Sequence, residues 1–341
     1  MKNISEILLI GPCANKKDIT NTGGIIILFE DLLYQMRKSN ISFMLVDTNK
    51  KNYPNIFFAM VSIYLKIIIK SFYVKQVSIH GTAKDYLYIA PFTIFFANLI
   101  NKNVSTRKFA GNFNSYYKSI NNFKKKIIKY VLKNSNYNFF ETKYLVEFFK
   151  EYNSKTFWFP NVRRFSGNKN SKEFKKKFVF ISQLYKSKGV DELLRASNEL
   201  PVNYTIDLFG PLQDDYTIGY FDGYKASYKG ALSPNKVLQT LDQYDVLILA
   251  TYYPGEGYPG IIIEALSLGK PLIVTGLDSI KEMVTSDCAI FVKPKCSDSI
   301  VDAVKIFNKD NYNRYSIAAF NSFDKFNSDT QTRKFLNVIN N

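Results

Sequence analysis

Residues 245–275 read DVLILATYYPGEGYPGIIIEALSLGKPLIVT, and the pattern of this stretch decides the fold. Two apolar runs, Val246 to Ala250 and Leu272 to Thr275, bracket a loop rich in glycine and proline and a short helical segment. Strand, loop, helix, turn and strand make one crossover unit of a parallel sheet. Pro259 suits the first helical position, Gly269 suits the helix end, and Pro271 prevents continuation. The loop therefore delivers backbone N–H groups to a helix N-terminus at the carboxyl end of a strand. In open α/β sheets ligands bind there, and a helix N-terminus favours an anion. Two carboxylates, Glu256 in the loop and Glu264 in the helix, flank the point.

The segment from Glu256 to Leu266, EGYPGIIIEAL, resembles the Glu-x7-Glu signature of glycosyltransferase family 4, retaining nucleotide-sugar enzymes of GT-B fold. The resemblance implies two Rossmann-like parallel-sheet domains facing each other across a cleft. It also implies that Glu256 meets the donor sugar and that Glu264 binds the ribose hydroxyls. The backbone of Gly257, Tyr258, Pro259, Gly260 and Ile261 would hold the diphosphate. The segment from Gln183 to Gly189, QLYKSKG, is similar to the family's Arg-Leu-x-x-x-Lys-Gly diphosphate clamp. Lys188 retains the cation, whereas Gln183 replaces the usual arginine and loses its bidentate fork.

A chain of 341 residues suits two domains, each large enough for its own core. Expected boundaries are 1–165 for a basic acceptor domain and 166–325 for the donor domain, with 166–177 as linker. A terminal helix in 326–341 is expected to cross back to the first domain. Residues 1–165 hold 25 Lys and Arg against 9 Asp and Glu, a net of +16 out of +17 for the whole chain. Such a field attracts an anionic membrane, an acidic substrate or nucleic acid. Nucleic acid is disfavoured, because neither a Gly-x-x-Gly clamp nor an RNP-like aromatic strand occurs. Three unpaired cysteines, one histidine and no Asp-x-Asp give no metal pattern, and a reducing cytoplasm fits them. The apolar run at the start, Ile7 to Ile10, is too short for a signal peptide core.

Along the first half, Ile7 to Ile10 reads as a strand, followed by a polar stretch to Thr22. Gly23-Gly24 then opens a helix, a pair that the family commonly places beside the donor diphosphate and acceptor. Ile56 to Ile69 is very apolar but too short to span a bilayer, and reads as a core helix. His80 is either a structural histidine or a cleft residue. In TRKFAG, Thr106 to Gly111, Ala110 stands where many members carry a sugar-contacting histidine, leaving Arg107 or Lys108 to touch an anionic group. Tyr116 to Lys133 places Phe123, Ile127, Ile128 and Val131 on one helical face among six lysines. That helix either rests on an anionic bilayer or is an ordinary amphipathic helix with a solvated basic face.

The expected activity is therefore transfer of a sugar from a nucleoside diphosphate to a glycan acceptor, lipid-linked, in bacterial surface polysaccharide or lipopolysaccharide synthesis. It would need no cofactor and no metal, at the cytoplasmic face of the membrane. A sugar-nucleotide-binding subunit without activity is the alternative that Gln183 and Ala110 motivate. A glycoside hydrolase, which also uses two carboxylates, leaves Lys188-Gly189 and Gly23-Gly24 without a role.

Overall fold

The computed structural model describes residues 5–15, 23–165, 173–213 and 215–341. It forms two compact units, residues 1–162 with 328–341 and residues 163–327. In the first, β1 (Ser5–Gly11), α1 (Gly24–Lys38), β2 (Phe43–Asp47), α2 (Ile56–Ser71) and β3 (Val74–Gly81) lead to a helix pair, α3 (Ala83–Tyr88) and α4 (Ala90–Leu99). There follow β4 (Asn103–Lys108), α5 (Phe113–Ser119), α6 (Asn122–Asn134), β5 (Tyr137–Phe140), α7 (Lys143–Phe149) and β6 (Thr156–Trp158). The second unit contains β7 (Lys177–Ile181), α8 (Val190–Glu199), β8 (Thr205–Phe209), β9 (Ser227–Tyr228), α9 (Val237–Leu241) and β10 (Val246–Leu249). It continues through α10 (Gly260–Ser267), β11 (Leu272–Thr275), α11 (Asp278–Met283), β12 (Ala289–Val292), α12 (Ser297–Ile306) and α13 (Lys309–Ser322). The last helix, α14 (Ser328–Asn340), belongs to the first unit.

Each unit holds one six-stranded sheet, ordered β2-β1-β3-β4-β5-β6 and β12-β11-β10-β7-β8-β9, with every paired neighbour parallel. Parallel strands covered on both faces carry unbroken apolar runs, and β1 shows why. Leu8 and Ile10 pack among residues of α2, α3, α4 and α6, while Ile7 and Leu9 pack on the opposite face with Leu28, Phe29, Phe335 and Ile339. α14 therefore supplies two aromatic and aliphatic anchors to the core of the first unit.

Three expectations are corrected. Asn138 to Phe140 reads from sequence as the last strand of the first domain, but β6 pairs with β5 as a further edge strand. The stretch 116–133 is two helices. α5 ends at Ser119, and the Asn121 side chain caps α6 by accepting from the Lys124 N–H, which restarts the helix. Phe123 points to solvent at 72% exposure, so only Ile128, Val131 and Leu132 bury the α6 face.

The third correction concerns α2. Its buried stripe is narrow, namely Ala59, Ile63, Ile67 and Ser71. Phe58, Val61, Leu65 and Ile69, with Phe72 at the C-cap, recur at helical spacing on the outside and are 41% to 57% exposed. Phe95 and Leu99 of α4 are also exposed, and Phe72 meets Phe96 of α4 at 5.8 Å between ring centres. Among the described residues no helix is long and apolar enough to cross a membrane.

Candidate functional site

In the second unit the site is built where β7 and β10 end side by side. The chain leaving β7 makes a single 3₁₀ turn, Lys186–Lys188, and must then pass against the end of β10. Gly189 does this with φ +79°, and a Cβ there would lie 2.3 Å from the Ala250 carbonyl oxygen. The Lys-Gly pair is thus fixed by a close backbone approach, and Lys188 is delivered buried beside the loop that follows β10. The Tyr252 N–H donates to the Ser187 carbonyl at 2.8 Å, which ties the two loops together.

Lys188 forms an ion pair with Glu256, and both side chains are only 10% exposed. Thr251 Oγ1 donates to the same carboxylate at 2.9 Å. The ammonium lies between two rings, 5.5 Å from the centre of Tyr185 and 5.4 Å from that of Tyr253. Burial, and next the Glu256 charge, push the Tyr185 phenol up to about 12, so it stays neutral beside the ammonium. The Glu256 carbonyl accepts from Ser279 Oγ at 2.9 Å, and Tyr258, itself buried, donates to Glu282 at 2.6 Å. The loop is therefore held from α11 as well as from β7.

The helix α10 begins at Gly260 with Pro259 as its N-cap, one residue later than the sequence reading placed it. Its first N–H groups have no carbonyl one turn back, so they face the loop as donors. Glu264 sits one turn into the helix and accepts from Arg163 Nε at 2.7 Å, with side chains 16% and 17% exposed. The guanidinium lies over Gly260, where a Cβ would be 1.9 Å from Arg163 Nη2. Arg163 was absent from the sequence reading. No local signal marks it, because its partner is 101 residues away.

The remaining candidates fall elsewhere. Gln183 is exposed at the end of β7. Gly23 and Gly24 start α1 in the first unit, and a Cβ at either would meet nothing within 4 Å. Residues 16–22 of the preceding stretch, and 166–172 of the expected linker, lie outside the described residues.

His80, Arg107 and Lys108 are interior residues of the first unit, 1%, 1% and 3% exposed, which corrects the cleft reading. His80 shares a hydrogen bond with Ser78 Oγ at 2.9 Å and packs against Phe29, Phe109 and Phe335. Burial, then the Arg107 charge, holds its pKa well below the usual range. Arg107 donates to the Pro160 carbonyl at 2.8 Å and stacks 3.5 Å from the Phe159 ring centre. Lys108 donates to the Phe109 carbonyl, and burial pulls its ammonium down to about 8.

Known proteins carry the same architecture. Residues 161–321 match the family model described as glycosyl transferases group 1. TuaC of Bacillus subtilis (strain 168), named for teichuronic acid biosynthesis as a glycosyltransferase, is 26% identical over 153 residues. That match covers 42% of this chain and 38% of TuaC, so the chain spans well under half the length of this relative. Over the whole chain the similarity is one of fold. Anabaena Alr3699/HepE in complex with UDP superposes with a TM-score of 0.73 at 12% identity, over 98% of this chain and 99% of that one. The apo lipopolysaccharide outer core galactosyltransferase WaaB gives 0.65 at 14% identity, over 98% and 99%. Staphylococcus aureus TarM, solved with fondaparinux, alpha-GlcNAc-glycerol and UDP, gives 0.61 at 16% identity over 83% and 58%. The chain thus has the GT-B fold, and its residues 161–321 match the glycosyl transferases group 1 model.

Proposed function

We propose that the protein is a retaining glycosyltransferase of the family 4 type. It moves a sugar from a nucleoside diphosphate to a glycan acceptor, lipid-linked, in bacterial surface polysaccharide synthesis. The observation that carries this reading is the buried Lys188–Glu256 pair beneath the loop that opens α10, inside the matched segment. HepE was solved with UDP and with UDP-glucose, which makes uridine diphosphate the first nucleotide to try.

In this reading the diphosphate lies at the N-terminus of α10 against the amides of Gly257 to Ile261, with Lys188 as its cation and Gln183 as a neutral donor. Gly23 and Gly24 open α1 in the first unit, where neither a positive φ nor a described neighbour demands glycine at either position. Glu264, braced by Arg163, takes the ribose hydroxyls. The phosphate and Glu256 then compete for one ammonium. Once the phosphate holds Lys188, the Glu256 carboxylate is released toward the sugar. As the glycosidic bond breaks, charge builds on the β-phosphate oxygen and is met by preorganised N–H groups and Lys188. Glu256 favours the complementary positive charge at the anomeric carbon. The acceptor hydroxyl attacks from the face the nucleotide leaves and gives its proton to the departing β-phosphate oxygen, which retains configuration, and no cofactor or metal is required.

The membrane enters through the first unit. The exposed apolar stripe of α2, Phe95 and Leu99 of α4, and Phe123 beside Lys124, Lys125 and Lys126 of α6 combine apolar area with the chain's positive charge. An anionic bilayer surface complements both. The test is a transfer assay with UDP-sugars and membrane extracts as acceptor source. Turnover with retained anomeric configuration supports the reading. Donor binding without transfer to any acceptor supports instead a sugar-nucleotide-binding subunit, which exposed Gln183 in the arginine position favours.

A further inference from the structure

The first unit contains a cavity of about 550 Å³ whose lining includes Asn15, Asp47, Lys51, Asn52, Tyr53 and Lys66. Asp47 is the last residue of β2, so the cavity opens at the carboxyl end of the sheet, and its size is that of a small-molecule site. Its floor is fixed. Asp47 Oδ1 accepts from the Cys13 N–H at 3.0 Å and the Asn49 N–H at 2.8 Å, and Oδ2 accepts from Asn52 Nδ2 at 2.6 Å. The Cys13 side chain also hydrogen-bonds Asp47, so the carboxylate is held on every side. Tyr53 donates to the Asp47 carbonyl at 2.7 Å, which locks the ring, and the Lys66 ammonium stands 5.2 Å from its centre. The Asn52 side-chain oxygen is buried with no partner among the described residues. Neither Lys51 nor Lys66 has an ion-pair partner among them.

Two ammonium groups therefore share the cavity with one carboxylate that backbone and amide N–H groups already hold. The surplus is positive, and the other groups suit hydroxyls and a ring face. Lys66 lies on α2, next in sequence to Leu65 and three residues before Ile69, and those two belong to the exposed apolar stripe. A polar, cationic cavity thus borders an apolar helix face. We propose that the cavity holds the anionic, hydroxyl-bearing head of an amphiphilic acceptor, with the α2 stripe taking the hydrocarbon that follows it. The acceptor role rests on the glycosyltransferase reading, and the chemistry of the head is shared by a sugar phosphate and a sugar carboxylate.

The test is calorimetry on the full chain, with and without saturating UDP, using glucose, glucose 1-phosphate, glucuronate and the octyl phosphodiester of glucose 1-phosphate below its micellar concentration. Both anionic sugars are expected to bind at least about tenfold more tightly than glucose, and their order identifies phosphate or carboxylate as the source. Lys51→Ala and Lys66→Ala should each weaken glucose 1-phosphate about tenfold with UDP affinity unchanged. The octyl diester should bind more tightly than its parent, and Leu65→Asp should remove that gain. Anionic sugars binding no better than glucose, or full affinity in both lysine variants, overturns the cavity assignment. An octyl chain that adds nothing overturns the part assigned to α2. Loss of UDP binding alone, with anionic sugars still bound, defeats the donor reading and leaves this one standing.

Discussion

Lys188 and Glu256 neutralise each other in a nearly dry setting, and that pairing sets the behaviour of either variant. Glu256→Gln keeps the shape and removes the carboxylate that serves the developing cation. Transfer should fall by about 10² to 10³, the usual scale for losing one electrostatic contact to a transition state. UDP affinity should stay within a few-fold, measured by calorimetry beside the transfer assay; unimpaired turnover would remove Glu256 from the chemistry. Arg163 acts at one remove. Arg163→Gln leaves Glu264 mostly buried without its guanidinium, at a cost of about 1–3 kcal/mol in denaturant unfolding. If the arginine only orients Glu264, affinities for uridine and UDP drop by the same factor. If UDP alone weakens, the guanidinium touches phosphate and replaces the charge that Gln183 lacks.

The elements differ in how openly the sequence declares them. Strands β1, β10 and β11 are unbroken apolar runs because helices cover both of their faces, and such runs are readable without coordinates. The turn at Gly189 is readable too, since Lys-Gly before an amphipathic helix announces a left-handed residue at the helix start. Gly189→Ala should cost several kcal/mol, for it adds a strained φ to a clash with backbone that cannot yield. A thermal melt checks this, and a wild-type transition temperature would contradict the close approach. By contrast α2 is apolar nearly all round, so nothing in its pattern tells which side faces water. β12 was missed because it is an edge strand whose central Ile290 and Phe291 are only partly buried, so its short run stands out less than those of β10 and β11. Arg163 was missed for a different reason: its partner Glu264 lies 101 residues along the chain. At this scale the membrane reading is tested by Leu65→Asp with Ile69→Asp. Sedimentation with vesicles rich in phosphatidylglycerol should be lost while the melting temperature holds, because both positions are more than half exposed.

For the molecule as a whole, the single histidine is a clean probe of pH. His80 is buried and its native pKa is held well below the ordinary 6.5. Above that value both folded and unfolded chains carry neutral imidazole, and stability is unaffected. Below it the unfolded chain takes up a proton that the folded chain refuses, so stability falls as pH drops toward the native pKa. At one unit below the unfolded value the loss is about 1.4 kcal/mol. His80→Gln should lack this increment when unfolding free energies are compared between pH 7.5 and 5.5. Parallel pH dependence in both proteins would show that His80 titrates normally.

The first unit is closed by residues made only after the second unit has been translated. Phe335 and Ile339 fill the layer beneath Ile7 and Leu9, yet 165 residues of another compact unit are translated in between. The amino-terminal portion must wait, its sheet half covered, while the inserted portion can complete itself on the nascent chain. A stop codon anywhere before Ser328 therefore uncovers the face of the sheet that α14 packs against, and the damage appears in the portion made before the lesion.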